Sequence, residues 1–193
     1  LNFKKYKIDF KVDALINDLQ NHVGNNGTLI FPTYNWGFCN KKTFNYLKTP
    51  SKCGALSNLV LKRSDFKRTK HPIYSLAVWG KHKKYLCSLQ NKTSWGEGSP
   101  FDFMYKKNCK NLFIGLDYKE AFTMDHYFEQ KVKVNYRYNK TFTSTYIDEF
   151  GKKKIKSYSM YVRNENLCKT TKISKKLDNK LLENKSLIKF KFK

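Results

Sequence analysis

The stretch Gly24-Asn25-Asn26-Gly27-Thr28-Leu29-Ile30-Phe31-Pro32 decides how this chain begins to fold. Two Gly and two Asn form a turn signal, and the apolar residues after them are typical of a short buried strand that the proline closes. Before the turn, Leu15, Leu19 and Val23 recur every four residues, which predicts an amphipathic helix over 13–23. A helix, a tight turn and a buried strand form the first unit of an α/β layer structure.

The same alternation continues along the chain. Short apolar runs predict further strands, and Thr49-Pro50 and Ser99-Pro100 are typical helix starts. We predict helices over about 51–62, 81–89, 99–107, 120–130 and 172–185, strands over 73–79 and 112–115, and a hairpin of 141–147 with 154–162. The pattern predicts an α/β fold.

The length of 193 residues favours one domain, 1–193. The globular pattern is clearest over about 10–135, and the part over about 136–193 is more polar and more basic. Hydrophobic residues make up 40% of the chain and aromatic residues 16%, which excludes a wholly disordered protein. No run approaches 18 apolar residues, so we expect no membrane span.

Five cysteines, an odd number without CxxC spacing, predict free thiols and no metal site. Free thiols fit a reducing cytoplasm, and the first residues have no apolar leader segment. We therefore expect a cytoplasmic protein. The missing initiator Met leaves open that the chain begins inside a longer protein.

The formal net charge is +24, from 39 Lys and Arg against 15 Asp and Glu. Only 4 of the 39 are Arg, whereas nucleic-acid readers favour Arg for bidentate contacts, so the composition argues against nucleic acid as a partner. Residues 131–193 hold 18 basic and 5 acidic side chains, a net +13. A basic surface suits anionic ligands such as nucleotides and CoA.

His126 and Glu129 are the residues best spaced for chemistry. Positions i and i+3 share a helix face, so Glu129 is within reach of His126 and can hold its tautomer. Asp125 is expected to point elsewhere. The alternative is a structural histidine near a helix start with a glutamate beside it.

Two other segments offer weaker signals. His71 precedes a proline at the start of a predicted strand, where either a functional or a structural role is open. Gly98 and Ser99 lie in a glycine-containing turn before a predicted helix, which suits an anion or a plain helix cap.

Five motifs occur in an order typical of one family. They are Gly27-Thr28-Leu-Ile-Phe-Pro32-Thr33, Lys67-Arg68-Thr-Lys-His71-Pro72-x-x-Ser75-x-x-x-x-Gly80, Gly96-Glu97-Gly98-Ser99-Pro100, Leu112-Phe-Ile-Gly115 and Thr123-x-x-His126-Tyr-x-Glu129. Together they resemble the aminoglycoside 3-N-acetyltransferase family over about residues 10–135. Family members usually carry an earlier strand with a His-Ser segment, so we expect part of the CoA site either to be absent or to lie outside the given sequence.

The resemblance implies a three-layer α/β/α sandwich and acetyl transfer from acetyl-CoA to an amine. It implies that His126 is the catalytic base and Glu129 its carboxylate partner, with no metal. The implied cofactor-binding and active-site positions are Thr33, His71, Ser75, Gly98, Ser99 and Thr123. A homodimer is also possible on this basis.

The acceptor is the open question at this stage. A strongly basic chain is a poor electrostatic match for a polycationic drug, so the charge favours an amino sugar, specifically a nucleotide-linked amino sugar used in surface-polysaccharide synthesis. The first alternative is an aminoglycoside, which would make the protein a resistance enzyme. The second is a non-enzymatic basic binding module.

Overall fold

The computed structural model describes residues 12–168 and 175–190. The helices are α1 Val12–Val23, α2 Ala55–Val60, α3 Lys83–Ser88, α4 Pro100–Lys106, α5 Tyr118–Ala121, α6 Met124–Lys131 and α7 Lys175–Glu183. The strands are β1 Thr28–Pro32, β2 Phe44–Asn45, β3 Lys67–Arg68, β4 Leu76–Gly80, β5 Arg137–Ile147 and β6 Lys153–Arg163. A 3₁₀ helix covers Trp36–Asn40.

The first sheet has the order β1-β4-β3, with both pairings antiparallel. Because side chains alternate along a strand, Leu29 and Phe31 face one side and Ile30 the other. Helices α1 and α2 cover the first side through Ile16 and Val60, which are fully buried. The other side meets a larger cluster that includes residues of α3, α4 and α6. Helices therefore lie on both faces of this sheet, as the three-layer prediction requires.

The second sheet has the order β2-β5-β6, and β5 and β6 form an 11-residue hairpin. Its inner tyrosines, Tyr146 and Tyr158, belong to the larger core cluster. A parallel bridge between Thr93 and Ser159 ties the segment before α4 to β6. The hairpin predicted from residues 141–147 and 154–162 is confirmed; β5 begins four residues earlier than predicted, and β6 is one residue longer at each end.

Helix α2 begins at Ala55, so the prediction of a helix from 51 behind Thr49-Pro50 is wrong at its start. The Asn58 side chain accepts from the Ser51 backbone N–H and donates to the Ser51 carbonyl at 2.8 and 2.9 Å. The Ser51 hydroxyl accepts from Cys53 N at 3.0 Å. Because side chains satisfy these backbone groups, the segment stays non-helical and the turn ends at Gly54.

Two further sequence predictions are wrong. Residues 112–115 form no strand, and Leu112 is 64% exposed. The predicted helix over 120–130 is two helices, because Phe122 leaves the helical region at φ −81°, ψ 75°. The break starts α6 two residues before His126.

The other predicted elements agree with the structure to within a few residues, except that residues 172–174 of the last predicted helix lie outside the described ranges. The described cysteines, all five of the chain, form no disulfide. Within residues 12–168 and 175–190, no helix has both the length and the apolar character that a bilayer crossing requires.

Candidate active site

His126 and Glu129 meet as the i, i+3 spacing predicts. His126 Nδ1 lies 3.0 Å from Glu129 Oε2 on the first turns of α6. Both side chains are partly exposed, at 24% and 20%. Within the described part of the chain, no residue forms a hydrogen bond with His126 Nε2.

Asp125 lies beside His126, contrary to the expectation that it points elsewhere. Its Oδ1 accepts from the His126 backbone N–H at 2.7 Å and lies 3.2 Å from Nδ1. The error has a simple cause, because Asp125 is in the first turn of a helix that begins only at Met124, where side chains still fold back onto free backbone N–H groups. The imidazole therefore has two carboxylates beside Nδ1.

Two residues that sequence reasoning missed hold Glu129 from the other side. The Tyr136 hydroxyl donates to Glu129 Oε1 at 3.0 Å, and Arg137 Nε lies 2.8 Å from Oε2 as an ion pair. Both come from the start of the β5–β6 hairpin. The only sequence signal was that Arg137 is one of just 4 arginines in a lysine-rich chain.

The two carboxylates beside His126 are shifted in opposite directions. Burial raises the pKa of Glu129, but the bonds from His126 and Tyr136 and the charge of Arg137 outweigh it, so the pKa lies below its ordinary value. Burial dominates for Asp125 and raises its pKa. Glu129 is therefore ionised at neutral pH and can only accept, which requires the proton of a neutral imidazole to sit on Nδ1.

Trp95 packs against the His126 ring, with ring centroids 4.8 Å apart. It is buried, and its other ring contact is Tyr74 at 4.6 Å. The neighbouring Thr93 accepts from Gln130 Nε2 of α6 at 3.3 Å. These contacts limit how far the imidazole can turn.

Thr33 and Ser75 lie together in the core. Their hydroxyls are 3.0 Å apart, and Ser75 Oγ donates to the Thr33 carbonyl at 2.8 Å. The buried Arg68 guanidinium donates to Ser75 Oγ at 2.9 Å and to the Thr33 carbonyl at 3.0 Å. Burial lowers the pKa of Arg68 to about 10. The three residues brace the junction of β1, β3 and β4.

His71 is 1% exposed. Its Nδ1 accepts from Ile73 N at 3.3 Å and Tyr74 N at 3.2 Å, and Nε2 lies 3.4 Å from Ser94 Oγ. Burial lowers its pKa to about 3, so the ring is neutral at physiological pH. It organises the turn before β4, and a contact with a cofactor at this position stays a prediction.

Gly98 and Ser99 form the predicted helix cap. Ser99 Oγ accepts from Asp102 N at 3.2 Å, and Gly98 N donates to Asp102 Oδ2 at 3.1 Å. Asp102 Oδ1 accepts from Tyr127 of α6 at 2.9 Å, which connects the cap to the helix that carries His126. A surface cavity of about 470 Å³ lies over Gly98 and Ser99, with Lys106 and Lys107 in its wall.

Thr123 directly precedes α6. Its side chain acts on Tyr34, partly offsetting the rise that burial causes in the pKa of that tyrosine. Of the predicted positions, the structure therefore brings His126, Glu129 and Thr123 onto one segment, links Gly98 and Ser99 to it through Asp102, and keeps Thr33, Ser75 and His71 in the core.

The donor atoms of Asp125, His126 and Glu129 lie within 4.8 Å of one another, which is close enough for a shared metal ion. Carboxylate clusters of this kind are common without a metal, and the hydrogen bonds above explain the arrangement. The expected absence of a metal stays a prediction.

Comparison with known proteins identifies the family. The model for aminoglycoside 3-N-acetyltransferases matches residues 5–191, so the chain belongs to that family. A curated relative, the SPbeta prophage-derived aminoglycoside N(3')-acetyltransferase-like protein YokD of Bacillus subtilis (strain 168), is 33% identical over 89 residues. That match covers 46% of this chain and 32% of the relative.

Solved structures agree on the fold. The crystal structure of YokD from Bacillus subtilis matches with a TM-score of 0.64 at 24% identity, over 82% of this chain and 71% of that one. AAC-VIa with bound sisomicin matches with a TM-score of 0.68 at 21% identity, over 79% of this chain and 64% of that one. AAC-IIIb, in a binary complex with CoASH, matches with a TM-score of 0.71 at 15% identity, over 90% of this chain and 72% of that one. The predicted α/β fold of the aminoglycoside 3-N-acetyltransferase type is thereby confirmed.

The chain spans about a third of the curated relative that it matches and 64% of AAC-VIa. The family and the fold follow from the comparisons.

Proposed function

We propose that this protein is an N-acetyltransferase that moves the acetyl group of acetyl-CoA onto an amine of an aminoglycoside. The observation that carries the proposal is the His126–Glu129 pair at 3.0 Å, in a chain of the aminoglycoside 3-N-acetyltransferase family. Nδ1 is held by the carboxylate, and Nε2 is left for a substrate proton.

In this reaction His126 acts as a general base. An attacking amine must lose a proton, and Nε2 accepts it while the amine nitrogen bonds to the thioester carbon. The new charge on the imidazole is stabilised by Glu129, which stays ionised, in the way a triad carboxylate supports its histidine. The carbon–sulfur bond breaks, and the proton on Nε2 passes to the departing CoA sulfur, so the balance is an amide and a thiol.

Acetyl-CoA enters as the acetyl-donating substrate, and the CoASH complex of the neighbour AAC-IIIb supports that choice. Among the predicted positions, Gly98 and Ser99 border the cavity of about 470 Å³ whose wall includes Lys106 and Lys107. Lys107 in this wall suits a phosphate of CoA, whereas Lys106 Nζ is paired with Asp102 Oδ2 at 2.8 Å in the same wall. A homodimer stays a prediction.

The comparisons favour an aminoglycoside over the nucleotide-linked amino sugar that the net charge suggested. One neighbour was solved with the aminoglycoside sisomicin bound. The charge argument also weakens locally, because residues 97–129 hold six acidic and four basic side chains in a chain of net +24. The amino sugar stays the second candidate on the strength of the total charge, and family membership argues against a non-enzymatic basic module.

The test is detection of acetylated product by mass spectrometry. Purified protein with acetyl-CoA should acetylate sisomicin or a related aminoglycoside, and His126→Ala should lower kcat/KM by at least about 10²-fold because the general base is gone. His22→Ala, an exposed histidine at the end of α1, is the matched control and should behave as wild type. Acetylation of a nucleotide-linked amino sugar but of no aminoglycoside would move the proposal to the second candidate, and acetylation of neither would remove it.

Glu129→Gln tests the partner of the base. The substitution keeps the shape but removes the charge that stabilises the imidazolium, so we expect kcat to fall and the acid limb of the pH–rate profile to move to lower pH. Full steady-state profiles of wild type and variant between pH 5 and pH 9 measure both. A variant with the wild-type profile would exclude Glu129 from the mechanism.

A further inference from the structure

We propose that Arg137 and Tyr136 are positioning residues for this reaction: they clamp Glu129 so that its carboxylate presents one fixed oxygen to His126. The inference rests on the proposed function, since it assigns a role in preparing the base. It concerns residues at the start of the basic C-terminal part, which the family motifs in the sequence do not reach.

The side chain of Arg137 is largely buried although it carries a permanent charge. Its side chain is 7% exposed, and its Nε lies 2.8 Å from Glu129 Oε2, the same oxygen that binds His126 Nδ1. Its Nη1 donates to the Tyr161 carbonyl on β6 at 3.1 Å. A buried guanidinium needs such partners, and here the carboxylate partner is also the partner of the histidine.

Tyr136 holds the second oxygen of the same carboxylate. Its hydroxyl donates to Glu129 Oε1 at 3.0 Å, while its backbone carbonyl accepts from Asn164 N at 2.8 Å beyond the end of β6. Both oxygens of Glu129 are therefore bound from the hairpin. A carboxylate held at both oxygens cannot rotate away from Nδ1 without breaking a charge-assisted contact.

The charges around Glu129 explain why the clamp acts on the base. The groups that face it are His126 and Asp125 from α6, and Tyr136 and Arg137 from the hairpin side, with Cys168 beside Tyr136. Asp125 is a like charge that favours protonation of Glu129, and Arg137 opposes it. Without Arg137 the carboxylate would more readily take a proton, and a protonated Glu129 no longer requires the Nδ1–H form of the imidazole.

The experiment combines kinetics with ¹⁵N NMR of the histidine side chains, which reports the imidazole tautomer without any turnover. Arg137→Gln should lower kcat by about tenfold or more with a smaller change in KM, and should move His126 from the Nδ1–H tautomer toward a mixture with Nε2–H. Arg137→Lys keeps the positive charge but not the planar guanidinium, so it should recover part of the lost kcat and part of the Nδ1–H tautomer of His126.

Arg163→Gln is the matched control. Arg163 lies opposite Arg137 in the register of β5 and β6, and the substitution removes the same charge. It should keep the wild-type kcat and tautomer. If Arg137→Gln unfolds, Tyr136→Phe removes one bond to Glu129 and should change the tautomer in the same direction, with a severalfold loss of kcat.

A folded Arg137→Gln protein that keeps the wild-type tautomer and a kcat within twofold of Arg163→Gln would overturn the inference. The proposed function can fail separately. If wild type acetylates no amine, the tautomer comparison still decides whether Arg137 and Tyr136 position His126 through Glu129.

Discussion

At the scale of single residues, two buried arginines illustrate two ways to stabilise a charge. Arg68 meets backbone carbonyls of Thr33 and Thr49, at 3.0 and 2.6 Å, and the ring of Phe44 at 4.8 Å. Arg137 meets a carboxylate. The first arrangement joins three segments of the core, whereas the second places a charge beside the candidate base. Arg68 therefore supports the fold and Arg137 the site.

Asp65 offers a residue-level prediction about acid. A hydrogen bond from Arg63 is the main reason that its pKa falls to about 2; burial opposes this, and a bond from Gln20 of α1 supports it. Because the folded pKa lies below the unfolded value of 3.8, the contribution to stability is complete above about pH 4 and is lost as the pH falls toward 2. Asp65→Asn should therefore flatten the dependence of Tm on pH in this window.

Thermal unfolding followed by circular dichroism between pH 2 and pH 6 measures that slope. Asp18→Asn, an exposed carboxylate on α1, is the control and should keep the wild-type slope. Equal slopes for Asp65→Asn and wild type would show that the Arg63 contact does not persist in solution.

The sequence predicts the His126–Glu129 contact because both residues lie on one helix and their spacing of three settles their distance. It does not predict Tyr136 or Arg137, because their approach to Glu129 depends on how the β5–β6 hairpin packs against α6. Asp125 was misjudged because its contact depends on the residue where the helix begins. Local periodicity thus predicts the His126–Glu129 pair but not the Tyr136 and Arg137 side chains that hold it.

At the scale of elements, periodicity predicts a helix or strand best where no local side chain competes for the backbone. The predicted β5–β6 hairpin forms around residues 148–151, and its turn is closed by Asp148 Oδ1, which accepts from Phe150 N and Lys152 N. The prediction that residues 51–54 are helical is wrong because the Asn58 side chain binds the backbone of Ser51. The run at 112–115 is apolar, but no strand of the described residues pairs with it.

The turn between β4 and α3 yields an element-level prediction. Gly80 has φ +95°, and a Cβ there would lie 2.3 Å from the Gly27 carbonyl oxygen at the start of β1. Gly80→Ala adds backbone strain to a collision with backbone, so we expect a loss of roughly 2–4 kcal/mol in the free energy of unfolding. Gly151, at φ +78° in the hairpin turn, has open space around its Cβ, and Gly151→Ala should cost only about 1 kcal/mol.

Urea unfolding of the two variants measures the difference directly. Similar losses would mean that β1 and β4 separate easily at this point, and that the antiparallel pairing of Thr28 with Gly80 is not tightly held.

At the scale of the whole molecule, the net charge of +24 and the net charge of segment 97–129, which carries His126, have opposite signs, although Arg137 adds a positive charge beside Glu129. Composition gives only the first, because which charges surround the site depends on the fold. Residues 97–129 supply His126 and hold six acidic against four basic side chains, and among them Asp125 and Glu129 lie at the imidazole itself. The total charge alone therefore does not exclude a polycationic acceptor, because the segment that carries His126 has more acidic than basic side chains.

The salt dependence of turnover tests which of the two charges an acceptor responds to. Screening acts over about 8–10 Å at physiological ionic strength, so the nearest charges dominate at the site. With acetyl-CoA saturating, kcat/KM for an aminoglycoside should fall as KCl rises from 25 to 300 mM, because salt weakens attraction to the acidic segment. A neutral amine acceptor, run in parallel, should show little change. An increase in kcat/KM with salt would mean that the basic surface repels the aminoglycoside. That result would favour the anionic amino sugar as the substrate.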